Sequence, residues 1–178
     1  MGNISWHIRY AEEKDVALIL AFIHELAAFE RMADQVTASG EDIRLSLFEK
    51  RQAEVILGEA NSEPAAFALF FHNYSTFLGK ANLFLEDLFV KEQYRGNGFG
   101  KAMLRRLAQI AVERGCERID WLCLDWNRPA INFYQGIDAV ILDDRRVFRI
   151  SGDRLEGFAN FESVKRGEND ESYSVTNP

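Results

Sequence analysis

Apolar residues alternate with polar ones at the start of the chain, where Ile4, Trp6 and Ile8 mark residues 4 to 9 as a half-buried strand. The period then lengthens. From Glu12 to about Met32, Val16, Ile19, Leu20, Ile23, Leu26, Ala27 and Phe29 recur at spacings of three and four, with acidic residues in the first turn to suit the helix dipole. Ser39, with Asp42 three residues on as a capping pair, opens a second helix bearing Ile43, Leu45, Leu47 and Phe48. Strand-like runs at Ala53 to Gly58, Ala65 to Asn73 and Asn82 to Val90 follow. They are separated by Asn61-Ser62-Glu63-Pro64 and by the turn-rich Tyr74 to Ala81, and they predict an antiparallel meander.

Met103, Leu104, Leu107, Ile110, Ala111 and Val112 trace one face of a helix from Gly100 to Arg114, which Gly115 ends. Arg118 to Leu124 reads as another strand, and Pro129 as the first-turn residue of a short helix through Tyr134. Ala139 to Leu142 and Arg145 to Ile150 suggest a closing hairpin, and the domain, residues 1–159, is complete by about Ala159. From Asn160 to Pro178 the chain turns polar, with Glu168-Asn169-Asp170-Glu171-Ser172, and reads as a disordered tail.

Composition narrows the possibilities. At 178 residues and 47% hydrophobic content, the chain supports one core rather than two full domains. A 28% charged fraction, a mean hydropathy of -0.22 and the lack of an apolar run near eighteen residues argue against a membrane span. The residues Met1 to His7 show no secretory pattern, which makes a cytoplasmic location the default. A net charge of -7 and a pI near 5.1 disfavour nucleic acid and anionic membrane as partners and suit cationic ligands. Cys116 and Cys123 lie at no metal-ligand or disulfide spacing and are expected as core thiols. His7, His24 and His72 form no triad or ligand set, so no metal is expected.

The most informative segment runs Leu85-Glu86-Asp87-Leu88-Phe89-Val90, then through Lys91-Glu92-Gln93 to Tyr94-Arg95-Gly96-Asn97-Gly98-Phe99-Gly100-Lys101, from a strand into a helix. Glycines at a helix start leave main-chain N–H groups open to close approach by an anion. Two familiar phosphate motifs fail here on spacing: GxGxxG from Gly96 would need glycine where Lys101 stands, and the Walker A pattern meets Arg95 and Ala102 at fixed positions. Arg-x-x-Gly-x-Gly fits from Arg95 to Gly100. The same glycines also suit a plain strand-to-helix turn.

With that loop in place, the chain resembles the GNAT acetyltransferases. LEDLFV, YRGNGFG, LDWN and PAINFY, in this order, are similar to the diamine (spermidine/spermine) N-acetyltransferases and their thialysine-acetylating relatives. The resemblance spans about Ile4 to Ala159. It implies an α/β fold, a twisted, mixed but mostly antiparallel sheet with helices on both faces, splayed near the end of the fourth strand. It implies acetyl-coenzyme A as cosubstrate, with Leu88, Phe89 and Val90 along the pantetheine arm and Arg95, Gly96, Asn97, Gly98, Phe99, Gly100 and Lys101 at the pyrophosphate. Asn127 falls near the thioester, and Tyr134 faces the sulfur. Phe29, Glu30, Glu86, Asp87 and Asp143 fall on the amine side, and a homodimer is implied. Two departures, Asp138 where the family has glycine and Arg145 where it often has tryptophan, fall on the substrate side. Aspartate tolerates the left-handed backbone that such a glycine serves.

The chemistry needs a proton acceptor, because an amine with a pKa of about 10.4 is neutral only about once in a thousand molecules near pH 7. Glu86 at the strand end is the candidate base, and Tyr134 the candidate acid for the departing thiolate. An exposed strand-end carboxylate and a packed core tyrosine are the plainer alternatives, as solvated surface carboxylates are for Glu30, Asp87 and Asp143. Transfer to a small primary amine leads. A non-catalytic coenzyme A-binding regulatory domain and acetylation of a protein amino group are the rivals.

Overall fold

The structure, a computed structural model, describes residues 5–160. Ile4 and the polar tail from residue 161 lie outside the described residues. The chain divides at Asn127/Arg128 into two compact units, inside the span that the sequence reading treats as one domain.

The first unit carries one sheet in the order β1-β2-β3-β4-β5, formed by Trp6–Tyr10, Glu54–Ala60, Glu63–Ser75, Lys80–Val90 and Ile119–Trp121. Strands β2 to β4 form the expected antiparallel meander, β1 pairs antiparallel with β2 across the intervening helices, and β5 joins β4 in parallel. The turn between β2 and β3 is tighter than its polar sequence suggests. Asn61 and Ser62 both hold positive φ, 52° and 67°, as a two-residue hairpin loop requires. Glu63 and Pro64 therefore belong to β3, with Pro64 beside an irregularity in the ladder where its missing N–H is tolerated.

Helix α1, Val16–Phe29, starts later than its periodicity suggests, because Glu12 and Asp15 form a capping box around a 3₁₀ turn at Glu13–Asp15. Asp15 is buried and doubly bonded by the Arg9 guanidinium, at 2.6 and 2.9 Å, which holds its carboxyl below the ordinary range. Arg9 also reaches Glu59 at 2.8 Å, so one guanidinium ties β1 to β2 and to the start of α1. The Ser39–Asp42 capping box opens α2, Gly40–Arg44, which runs into a π-helical turn at Leu45–Glu49.

Helix α1 packs Ile19, Phe22 and Leu26 on Val55, Leu57, Phe67 and Phe89. Helix α3, Phe99–Glu113, lies on the opposite face. A Cβ added at Gly58, next to Leu57 and hence pointing the other way, would come within 3.1 Å of the Met103 sulfur and 2.7 Å of the Trp6 ring. Cys116 is buried as expected, whereas Cys123 is exposed. Strand β5 stops at Trp121, short of the expected Leu124, so Cys123 lies beyond the packed sheet.

The second unit begins with α4, Arg128–Gln135, and includes α5, Asp153–Ala159, which the sequence did not suggest. The expected hairpin at 139–150 is absent. Val140, Val147 and Phe148 are 81%, 72% and 92% exposed, and no strand forms there. Strand propensity without a pairing partner leaves ladder groups unsatisfied, so alternation alone was a poor guide. Asp138 does take the left-handed conformation, at φ +64°. Among the described residues no helix is long and apolar enough to cross a membrane.

Candidate active site

The loop between β4 and α3 is shaped by its backbone. Gly96 and Gly98 hold φ of +76° and +82°, and a Cβ on either would meet nothing within 4 Å, so both face open space. The first N–H of α3 to find a main-chain acceptor is that of Ala102, bonded to Gly98 O at 3.0 Å. Those of Gly96 to Lys101 make no turn or cap bond among the described residues. Asn97 accounts for the loop's carbonyls instead, its Nδ2 donating to Tyr94 O and Arg95 O at 3.2 and 3.1 Å. Six consecutive main-chain donors without such a bond, at the positive end of a fifteen-residue helix, make a cradle able to receive an anion. The Phe99 side chain is buried and stacks on Trp6 at 3.8 Å, so it anchors the loop and leaves only its N–H for a ligand.

Strand β4 leads into this cradle with one side unpaired. Its parallel ladder to β5 covers only Leu83, Leu85 and the residue between them. Lys91 N bonds Ala65 O on β3, so by alternation Asp87 and Phe89 direct their main chain to β3, while Leu88 and Val90 direct theirs to the open side. The expected splay is therefore present, and it favours Leu88 and Val90 over Phe89, whose ring is buried under α1. Arg95 spans this edge: its Nε donates to Val90 O at 2.9 Å, and its guanidinium lies 4.7 Å from the Phe29 ring centroid and 5.4 Å from that of Phe89.

A β-bulge sits where the pairing to β5 ends. Leu69 opposes Asp87 and Phe70 opposes Leu85, which leaves Glu86 as the extra, exposed residue. Two carboxylates gather near it. Asp87 is half-buried and its pKa is pushed up to about 6, first by burial and then by the charges of Glu86 and Glu30. Burial likewise raises Glu30. The carboxyl tuned toward neutral pH is thus Asp87, which the sequence reading assigned to amine recognition, beside Glu86, which it assigned as base. Phe29 faces Trp126 at 6.2 Å, and the Arg31 guanidinium lies over Trp126 at 5.4 Å. Trp126 belongs to the LDWN motif but was given no role from sequence, and Arg31 did not stand out, since a lone arginine carries no spacing signal of its own.

Asn127 closes the first unit, its N–H bonded to Leu124 O at 2.9 Å. In the second unit Tyr134 lies in α4 with its ring 5.3 Å from that of Phe133, and Arg146 donates to the Asp143 carbonyl at 3.1 Å. A separate cavity of about 480 Å³, lined by Tyr10, Phe48, Glu54 and Arg114 among others, lies by the end of α3 rather than its start and shares no residue with the cradle or the carboxylates. Among the described residues no cluster of three His, Cys, Asp or Glu side chains is arranged to hold a metal ion.

The sequence model of the acetyltransferase (GNAT) family matches residues 20–137, which include the open edge, the bulge and the cradle. The chain belongs to this GNAT family. It is an N-acetyltransferase, and enzymes of the family use acetyl-coenzyme A, whose diphosphate suits the donor-lined loop. The chain is 31% identical to the L-ornithine N5-acetyltransferase of Arabidopsis thaliana, the match covering 84% of this chain and 86% of the relative. It is 34% identical to the thialysine N-epsilon-acetyltransferase of Bos taurus over 85% of this chain and 96% of the relative. Among solved structures, an integron cassette protein from the mobile metagenome of V. cholerae matches with a TM-score of 0.75 and 25% identity over 89% of this chain and all of that one.

Proposed function

We propose that this GNAT enzyme acetylates the primary amine of a small molecule, a polyamine, diamine or lysine-like amine, by direct attack on the thioester while donor and acceptor are bound together. One observation carries the reading: a single strand-loop-helix segment presents an open strand edge, a cradle of main-chain N–H groups and a bulge flanked by carboxylates. A phosphate-binding module needs the cradle alone. The relatives named for ornithine and thialysine support a cationic acceptor.

In this reading the main-chain N–H groups of residues 96–101 hold the pyrophosphate, with Arg95 and Lys101 adding charge, and Leu88 and Val90 pair with the pantetheine arm as an added strand would. Asn127 stands near the thioester by resemblance. Acetyl-coenzyme A supplies the activated acetyl group. Glu30 and Asp87 attract the ammonium, Phe29 offers it an aromatic face, and a part for Asp143 rests on resemblance alone. The Glu86–Asp87 pair takes the proton that the amine must lose, with Asp87 the member matched to neutral pH. Tyr134 donates a proton to the departing sulfur. A cytoplasmic homodimer accompanies the reading by resemblance, and a single monomeric species in sedimentation at micromolar concentration counts against the dimer.

Acetyl-coenzyme A consumption, followed by thiol release against spermidine, spermine, putrescine, lysine, ornithine and thialysine, tests the proposal. Donor binding without acetylation of any amine would favour the regulatory reading instead. For Tyr134→Phe we expect kcat to fall about 100-fold or more with the donor's Kd unchanged. Near-normal turnover would remove the general-acid role.

A further inference from the structure

The C-terminal end of α1 closes with a residue in a conformation its type rarely adopts. Met32 N donates to Ala27 O at 2.8 Å and Arg31 N to Ala28 O at 3.2 Å, the paired bonds of a Schellman motif. The position after the cap in that motif is left-handed and usually glycine, yet here it is Arg31, at φ +63°. A long side chain is kept where glycine would relieve backbone strain, which directs attention to what that side chain does.

Among the described residues, Arg31 has as partners only the Ala28 carbonyl, through its main-chain N–H, and the Trp126 ring, 5.4 Å from its guanidinium. No carboxylate of the described residues pairs with it. That ring contact uses none of the guanidinium's N–H donors, which stay open to a carboxylate. The preceding residue is Glu30, whose charge reaches Asp87. The same helix end also presents Phe29 against Trp126 at 6.2 Å. An anionic and a cationic group on consecutive residues suit a ligand head that carries an ammonium and a carboxylate on one carbon. A polyamine has only cations to offer, and Arg31 would repel its second ammonium.

We propose that Arg31 reads the carboxylate of the acceptor, so that the preferred substrate is a basic α-amino acid rather than a polyamine; this rests on the acetyl-transfer reading above. Glu30 takes the α-ammonium. The guanidinium, held over the Trp126 ring, takes the α-carboxylate. The side-chain amine is left to extend toward the bulge at Glu86.

The test compares acceptors that differ by the carboxylate alone: ornithine with putrescine, and lysine with cadaverine, at saturating acetyl-coenzyme A. The wild-type enzyme should favour the carboxylate-bearing member of each pair by about tenfold to a hundredfold in kcat/KM, the range for a charge-assisted contact. Arg31→Gly fits the left-handed position, so its fold should persist. It should erase that preference by raising KM for ornithine and lysine and lowering it for putrescine and cadaverine, leaving kcat and the donor's KM in place. Arg31→Lys should restore part of the preference. The proposal is overturned if the wild-type enzyme acetylates both members of each pair equally, or if Arg31→Gly impairs both alike; acetyl transfer to small amines then stands. If the wild-type enzyme acetylates none of the four, the Arg31 proposal falls, and acetyl transfer itself is then decided on spermidine, spermine and thialysine.

Discussion

Replacing Asp87 by asparagine should make the protein more stable and less active, with a pH dependence that identifies the cause. The carboxyl rises from its ordinary 3.8 to about 6 because burial and the neighbouring Glu86 and Glu30 charges oppose its ionisation. Below about pH 4 the group is protonated folded and unfolded alike, so the substitution changes little. Between pH 4 and 6 the unfolded chain ionises first, and the wild-type fold loses stability that Asp87→Asn keeps. Above pH 6 the difference is constant. At 1.36 kcal/mol per pH step the ceiling is about 3 kcal/mol, and solvent access to a half-buried side chain brings it to about 1–2 kcal/mol. For a chain of this size each kcal/mol moves Tm by about 2–4 °C. Thermal melts of both proteins at pH 4, 5, 6 and 8 should therefore diverge by up to roughly 8 °C at pH 8 and converge at pH 4. Turnover should fall about 100-fold or more above pH 6 if Asp87 takes the proton, and by progressively less below it, where the wild-type carboxyl is itself protonated. A destabilised Asp87→Asn at pH 8, or an offset independent of pH, would refute the electrostatic argument.

Two further perturbations address the cradle and its support. Gly98→Ala puts a methyl group into open space at φ +82°; it should cost about 1 kcal/mol of stability and raise the donor's KM about tenfold or more, leaving the amine's KM in place, as initial-rate kinetics can check. Phe99→Ala removes the ring stacked on Trp6 and should cost about 3–4 kcal/mol in urea unfolding, whereas a loss below 1 kcal/mol would show that the loop is not anchored there.

The meander, the two main helices and the glycine loop were legible because each imposes a period or a spacing that little else produces. The Ser39–Asp42 capping box was legible for the same reason, and Asp138 because aspartate tolerates a left-handed backbone better than most residues. What escaped detection depended on partners remote in sequence. Whether Ala139 to Leu142 becomes a strand depends on finding a neighbour, and it finds none. The shortened β5, which opens the edge of β4, leaves no trace in the composition of residues 122–124. Glu86 and Asp87 are adjacent carboxylates with opposite burial, and only the ladder irregularity separates their roles. Arg31 was invisible because nothing local marks a Schellman end that lacks glycine.

Strand β4 would be a more regular strand with one residue fewer. With residue 86 deleted, Leu83 and Leu85 would still share one side with Leu88, and Asp87 and Phe89 would still share the other with Phe84, in unbroken alternation against β3. Every core side chain would keep its place. The hydrophobic interior therefore gives no reason for the surplus position to persist, and a shortened chain that folds normally but transfers no acetyl group would separate what this sheet requires from what its chemistry requires.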